Sequence, residues 1–264
     1  MYCEIVEGLT PHDVVFIHGN MASNKWWQPT LSELSKIAQP HFRGRAILAE
    51  WRGCGSTPAP DSAEQLQPVA LANDYVALAE TLKLKNASIV GHSYGGLIAL
   101  LALRLRPQIF KNAIALNPVG ARGCASDAAT AERFLAISQN RALCEDALSA
   151  AIHNHRRRSS FFQELADDAM HMAPLNWQTI PQILGQIDER LLLAETENPA
   201  LILHGQKDRV LPIQGSIELA QLLPNAKFIG LEGMGHSPQI EKPALFISIL
   251  NSFLFPPVER ELVL

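Results

Sequence analysis

The fold turns on residues 87–105, Ala87-Ser88-Ile89-Val90-Gly91-His92-Ser93-Tyr94-Gly95-Gly96-Leu97-Ile98-Ala99-Leu100-Leu101-Ala102-Leu103-Arg104-Leu105. The first five residues form a short, largely apolar run, the pattern of a strand buried on both faces. From Gly95 to Leu105 the stretch is apolar almost all round, which predicts a buried helix, and Pro107 ends it. Between them stands Gly91-His92-Ser93-Tyr94-Gly95, a G-x-S-x-G pattern in the strand–turn–helix context that gives the pattern meaning. Such a turn lifts the serine hydroxyl clear of the sheet. Close approach of strand and helix leaves no room for side chains at Gly91 and Gly95. The helix N-terminus favours negative charge developing beside the serine.

Outward from this stretch, short apolar runs alternate with helical patterns. Strands are expected at 14–18, 46–51, 87–91, 113–116, 200–204 and 227–231, with a shorter run at 2–6 able to pair at one edge. Helices are expected at 71–82, 95–105, 216–223 and 244–254, several of them bounded by Pro68, Pro107, Pro224, Pro243 and Pro256. The alternation predicts an α/β architecture: a mostly parallel sheet flanked by helices. It breaks between 117 and 199, where residues 128–193 carry no strand signal. That region reads as a helical cap, residues 120–195, inserted into a core domain made of 1–119 and 196–264. Its expected place is over the C-terminal strand ends, where open α/β sheets bind ligands.

Composition agrees. The chain has 264 residues, 47% hydrophobic and 18% charged, the balance of an ordinary globular protein rather than a disordered one. Its net charge of −4 offers no general attraction to nucleic acid or anionic membrane. Met1 to Gly8 has two glutamates and no basic region before an apolar core, so no secretory leader is read there. The longest uncharged stretch, 86–103, contains polar residues and glycines and predicts no membrane span. Cys3, Cys54, Cys124 and Cys144 lack C-x-x-C spacing, so free thiols and a cytoplasmic location are expected.

A serine hydroxyl is a weak nucleophile and needs an adjacent base oriented by a third group. Asp208 follows the strand at 200–204 and His236 follows the strand at 227–231, so both fall at the sheet edge that carries Ser93. Among nine histidines, only His236 lies in a loop after the last strand. His18 and His204 precede glycines at strand ends, where a structural hydrogen bond is expected, and His92 is expected to point away. The position after the strand at 113–116 reads Asn117-Pro118 and offers no carboxylate. For the oxyanion hole, one backbone N–H is expected from Tyr94 and the other from Asn20, in the loop His18-Gly19-Asn20-Met21.

With these pieces in place, the chain resembles the serine hydrolases of the α/β-hydrolase superfamily, over nearly its whole length. The resemblance rests on His18-Gly19, the turn Trp51-Arg52-Gly53-Cys54-Gly55-Ser56, the elbow at Ser93, Gly205 to Asp208, and Gly235-His236. It implies a sheet of about seven strands, the family's first strand being absent, with the cap after the sixth family strand. It implies a Ser93–His236–Asp208 triad and no metal or organic cofactor. Where an aspartate often stands in the family, this chain has Glu50. Serine at the elbow argues against the dehalogenases and epoxide hydrolases of the fold, which use aspartate.

Cleavage of a carboxylic ester is the leading expectation. Carbon–carbon bond hydrolysis is one alternative, although the Asn20-Met21-Ala22-Ser23 loop is less glycine-rich than is usual there. A slow-turnover ligand receptor of the same fold is another. A third is an esterase acting on pimeloyl groups carried by acyl carrier protein in biotin synthesis. That last reading looks to His153-Asn154-His155-Arg156-Arg157-Arg158 as a docking patch for an acidic carrier. Against it, residues 120–195 hold seven arginines and no lysine but ten acidic residues, so the segment as a whole is not basic. A small-molecule pocket is expected beneath the cap, with Met21, Trp27, Phe134, Phe162 and Trp177 as its apolar lining.

Overall fold

The computed structural model describes residues 1–153 and 155–256. In chain order the elements are β1 (Cys3–Thr10), β2 (Val14–Ile17), α1 (Gln28–Ile37), β3 (Gly44–Ala49), α2 (Pro68–Thr81), β4 (Ala87–His92), α3 (Tyr94–Leu105) and β5 (Phe110–Leu116). The helices α4 (Ala128–Gln139), α5 (Arg141–Ala151), α6 (Ser160–Met170), α7 (Pro174–Leu184) and α8 (Arg190–Leu193) follow without an intervening strand. The chain then returns through β6 (Ala200–Gly205), α9 (Ile213–Leu222), β7 (Ala226–Leu231), α10 (Pro238–Glu241) and α11 (Pro243–Leu254).

The strands form one seven-stranded sheet in the order β1-β3-β2-β4-β5-β6-β7. β1 pairs antiparallel with β3, and every other pairing is parallel. This is the α/β-hydrolase architecture, with the 2–6 run realised as the antiparallel edge strand. The strand expected at 46–51 ends at Ala49, because the chain turns away at Glu50. Helix α1, with Pro29 in its first turn, was not anticipated from the periodicity.

Strand side chains alternate between two cores. Val15, Ile17, Ile89, Ala113 and Ala115 face one core with α2, α3 and the helices between β5 and β6. Val14, Phe16, Val90, Ile114 and Leu116 face the other, with α1 and α11. The central strands are buried throughout, which is why they read as unbroken apolar runs.

The elbow is built on backbone contact. A Cβ at Gly91 would stand 1.9 Å from the carbonyl oxygen of Gly95, and a Cβ at Gly95 would stand 2.4 Å from that of His18. Helix α3 therefore starts against the ends of both β2 and β4. Among the described residues, no helix is long and apolar enough to cross a membrane.

Candidate active site

Ser93 has φ +56° and ψ −122°, a conformation that side-chain-bearing residues rarely adopt. The surroundings hold it there: its N–H donates to Leu116 O (2.9 Å), and its carbonyl accepts from Gly96 (2.9 Å) and Val119 (3.1 Å). Ser93 and His236 line one cavity of about 430 Å³, within the range of small-molecule sites.

Asp208 and His236 meet because the loops after β6 and β7 touch. A Cβ at Gly205 would lie 1.9 Å from Gly235 O, and Lys207 N–H donates to Met234 O (2.8 Å). The contact brings His236 Nδ1 to 2.7 Å from Asp208 Oδ2. Nε2 is left as the ring nitrogen available to a hydroxyl. The Asp208 carboxylate also accepts from Asn117 Nδ2 (2.7 Å) and from the N–H groups of Val210 (2.7 Å) and Leu211 (3.1 Å). Burial works to raise its pKa, but the hydrogen bonds from His236, Asn117 and Val210 outweigh burial and hold the carboxyl well below its ordinary value.

Asn117 is a site residue that the sequence reading passed over. It occupies the end of β5, has φ +44°, and donates to Asp208 and to Gly235 O (3.2 Å). The available signal was a polar residue closing an apolar strand. Glu241 was missed for a different reason: it lies in a short helix with no motif of its own. Its carboxylate accepts from the N–H groups of Gly235 (2.6 Å) and Ser237 (3.1 Å), on either side of His236, and from His153 N–H (3.0 Å). Glu241→Ala strands three donors and frees the His236 loop. The expected result is a Tm lower by several degrees and a kcat lower by about 10- to 100-fold, read by scanning calorimetry and steady-state kinetics.

His92 does not point away as expected. It lines the cavity, its Nε2 lies 2.8 Å from His236 O, and its ring stacks on Trp26 (5.7 Å, 22°). Burial, with the neighbouring His236, pushes its pKa down to about 3, so it stays neutral and does not compete as a base. His18 and His204 have the structural hydrogen bonds expected of them. His18 Nδ1 meets Gly19 O (2.8 Å), and His204 bridges Ser216 Oγ (2.7 Å) and Leu211 O (3.3 Å).

The backbone N–H groups of Asn20 and Tyr94 both belong to cavity-lining residues, and neither donates to a backbone acceptor among the described residues. Tyr94's hydroxyl is turned away, donating to Leu66 O (2.8 Å). Glu50, the departure from the family's aspartate, accepts from the N–H groups of Asn24 (3.1 Å) and Ser56 (2.7 Å). It thereby ties the Asn20 loop to the turn after β3. Burial raises its pKa while the two N–H groups oppose that shift.

The expected lining needs correction. Met21 and Phe134 line the cavity. Trp27 does not: it packs on the opposite sheet face against Phe16 (5.2 Å) and Phe246 (6.2 Å). Residues 24–27 form a 3-10 turn, whose successive side chains diverge by a third of a turn, so Trp26 takes the cavity side. Phe162 is buried among the helices and stacks on His155 (4.7 Å). Trp177 sits behind Phe134 (6.2 Å) rather than at the surface of the cavity. In the arginine cluster, Arg157 is already ion-paired with Glu145 (2.9 Å) and Asp146 (2.6 Å), which weakens a docking patch of Arg156, Arg157 and Arg158. Asn154 of that cluster lies outside the described residues.

Comparison with known proteins bears on this geometry. The chain is 27% identical over 222 residues to a 2-hydroxymuconate semialdehyde hydrolase of Pseudomonas putida, covering 80% of this chain and 76% of that one. It is 25% identical over 254 residues to an sn-1-specific diacylglycerol lipase of Mus musculus, covering 91% and 80%. An esterase from Exiguobacterium antarcticum superposes with a TM-score of 0.82 at 21% identity, over 96% of this chain and 94% of that one, a likeness of fold. The family model described as alpha/beta hydrolase matches residues 14–249, a span that takes in Ser93, Asp208 and His236. The chain is therefore a hydrolase belonging to the alpha/beta hydrolase family.

Proposed function

We propose that this hydrolase cleaves carboxylic esters through an acyl-enzyme on Ser93. The observation that carries the reading is that His236, which lines one cavity with Ser93, lies 2.7 Å from Asp208 behind it. His236 Nε2 takes the proton from Ser93 as its oxygen attacks the acyl carbonyl. Asp208 holds the tautomer with the proton on Nδ1 and stabilises the imidazolium that forms. The N–H groups of Asn20 and Tyr94 bind the developing oxyanion. His236 then protonates the leaving alcohol, and water repeats the sequence to release the acid. Residues 120–195 act as a cap that supplies the acyl side of the cavity, through Phe134, Ile137, Leu148 and Leu184.

Carbon–carbon bond hydrolysis uses the same machinery, and similarity to the Pseudomonas putida hydrolase keeps it as the second reading. The test is turnover of p-nitrophenyl esters from acetate to decanoate by the wild type, with a phosphonate ester as covalent label. The expected outcome is hydrolysis with a chain-length optimum, and a phosphonyl mass increment confined to the peptide that carries Ser93. Labelling without turnover of any ester overturns ester cleavage and moves the second reading ahead. No labelling overturns the serine mechanism.

A further inference from the structure

Two arginines, Arg133 and Arg209, line the cavity, and among the described residues lining it there is no aspartate or glutamate. The whole chain carries −4, so this local excess of positive charge is a matter of placement. On α4, residues Thr130, Arg133, Phe134 and Ile137 form the face turned to the cavity, at the i, i+3, i+4, i+7 spacing of one helix side. Arg133 is the one charged residue on that face. Arg209 comes from the loop after β6. That loop is pinned because Asp208 accepts the N–H groups of Val210 (2.7 Å) and Leu211 (3.1 Å).

Neither guanidinium is ion-paired among the described residues, although Asp127 lies near enough to Arg133 to feel its charge. Arg141, Arg157 and Arg190, of the same helical segment as Arg133, are each ion-paired. Among the described residues, Arg133 and Arg209 have no carboxylate within ion-pair distance and no side-chain hydrogen bond. The acid at the start of α4, Asp127, is engaged as the helix cap, accepting from Thr130 N–H (2.8 Å) and Thr130 Oγ1 (2.8 Å). The carboxylate beside Arg209, Asp208, has both oxygens occupied by other donors. The apolar part of the lining includes Met21, Phe134, Ile137, Leu148 and Leu184.

From this we infer that the substrate is an amphipathic anion: an ester whose non-reacting end carries a carboxylate or phosphate, held by Arg133 and Arg209 while its apolar stem fills the cavity. This rests on the reading of the Ser93 cavity as an acyl-transfer site. Guanidinium groups bind either anion through paired N–H donors. The test separates the two sources.

Three methyl esters of equal chain length are compared, with a carboxylate, a phosphate or a second methyl ester at the far end. Wild type, Arg133→Gln, Arg209→Gln and the double variant are assayed, with circular dichroism as the check on folding. Wild type is expected to show a kcat/KM at least about tenfold higher for one anionic ester than for the neutral one. Whichever anion is preferred identifies the source. Each single variant should cut the preference several-fold, and the double variant should bring it to about one. Salt at 0.5 M should also reduce it, because both arginines are exposed to solvent. Equal kcat/KM for charged and neutral esters in the wild type overturns the inference, as does a preference that survives the double substitution. If wild type cleaves none of the three, the ester reading is decided separately by the p-nitrophenyl series. Calorimetric titration of the same compounds into Ser93→Ala then decides the anion site. Anion binding lost on adding Arg133→Gln and Arg209→Gln upholds it, and binding indifferent to charge overturns it.

Discussion

Ser93→Ala is expected to lower kcat on esters by on the order of 10⁶-fold while leaving the fold intact. On the proposed mechanism the loss is large because the acyl-enzyme forms on the Ser93 oxygen. His92 is neutral and buried, and Cys124, which also lines the cavity, has its thiol pKa raised by burial. The remaining rate expected comes from binding and from the proposed oxyanion donors, the Asn20 and Tyr94 N–H groups, acting on a water-attacked carbonyl. Stability separates this variant from Ser93→Gly. Alanine must keep the φ of +56°, so its Tm should stay within a degree or two of the wild type. Glycine adopts that φ without steric cost, and relief of strain worth about 1–3 kcal/mol exceeds its entropic penalty of about 0.5–1 kcal/mol. Ser93→Gly should therefore be equally inactive and more stable than wild type. A glycine variant that melts below the alanine variant would show that the elbow is not strained.

Asp208→Asn is the second large effect, a fall in kcat of about 10⁴-fold with KM little changed. An amide in place of the carboxylate can donate to His236 Nδ1, which stabilises the tautomer with its proton on Nε2 and removes the base. The same NH₂ group then faces the Asn117 Nδ2 donor, which now meets a carboxylate oxygen, while the amide oxygen still accepts from Val210 N–H. The variant should lose stability as well, and the loss has a pH signature. The folded pKa of Asp208 lies below the unfolded value of about 3.9. Its contribution is therefore fully present above the unfolded pKa and is lost as pH falls through the folded one. The Tm difference between wild type and Asp208→Asn should be largest above about pH 5 and shrink towards pH 2–3. A difference independent of pH would assign the destabilisation to packing. Because Asp208 remains ionised throughout the assay range, the acid limb of activity should not reflect its titration.

The proposed triad positions were readable because each is announced locally. Ser93 sits in a strand–turn–helix whose glycines are required by backbone contacts of 1.9 and 2.4 Å, and Asp208 and His236 stand in loops directly after strands. In a parallel sheet, loops that follow strands share one edge, so strand order alone put the three at that edge. Asn117 and Glu241 were not readable. Asn117 acts on Asp208, 91 positions away; Glu241 bonds N–H groups four and six residues away and that of His153, 88 positions away, and no motif marks either residue for that task. The Trp26–Trp27 pair makes the same point at one-residue resolution. Both are apolar, adjacent and buried, and only the direction in which the 3-10 turn docks on the sheet decides which ring faces the cavity.

The sequence by itself determined the order of the strands, the two-sided burial of the sheet, the serine turn and the loops that carry Asp208 and His236. These depend on hydrophobic period and on steric demands between near neighbours. Tertiary structure alone decided which aromatic rings line the cavity, that Asn117 and Glu241 brace Asp208 and His236, that Arg157 is ion-paired, and that Arg133 and Arg209 face one space without a carboxylate. The physical reason is that a helix over a cleft can be rotated or shifted while keeping the same amphipathic pattern. Its lining is set by packing against distant segments rather than by its own periodicity.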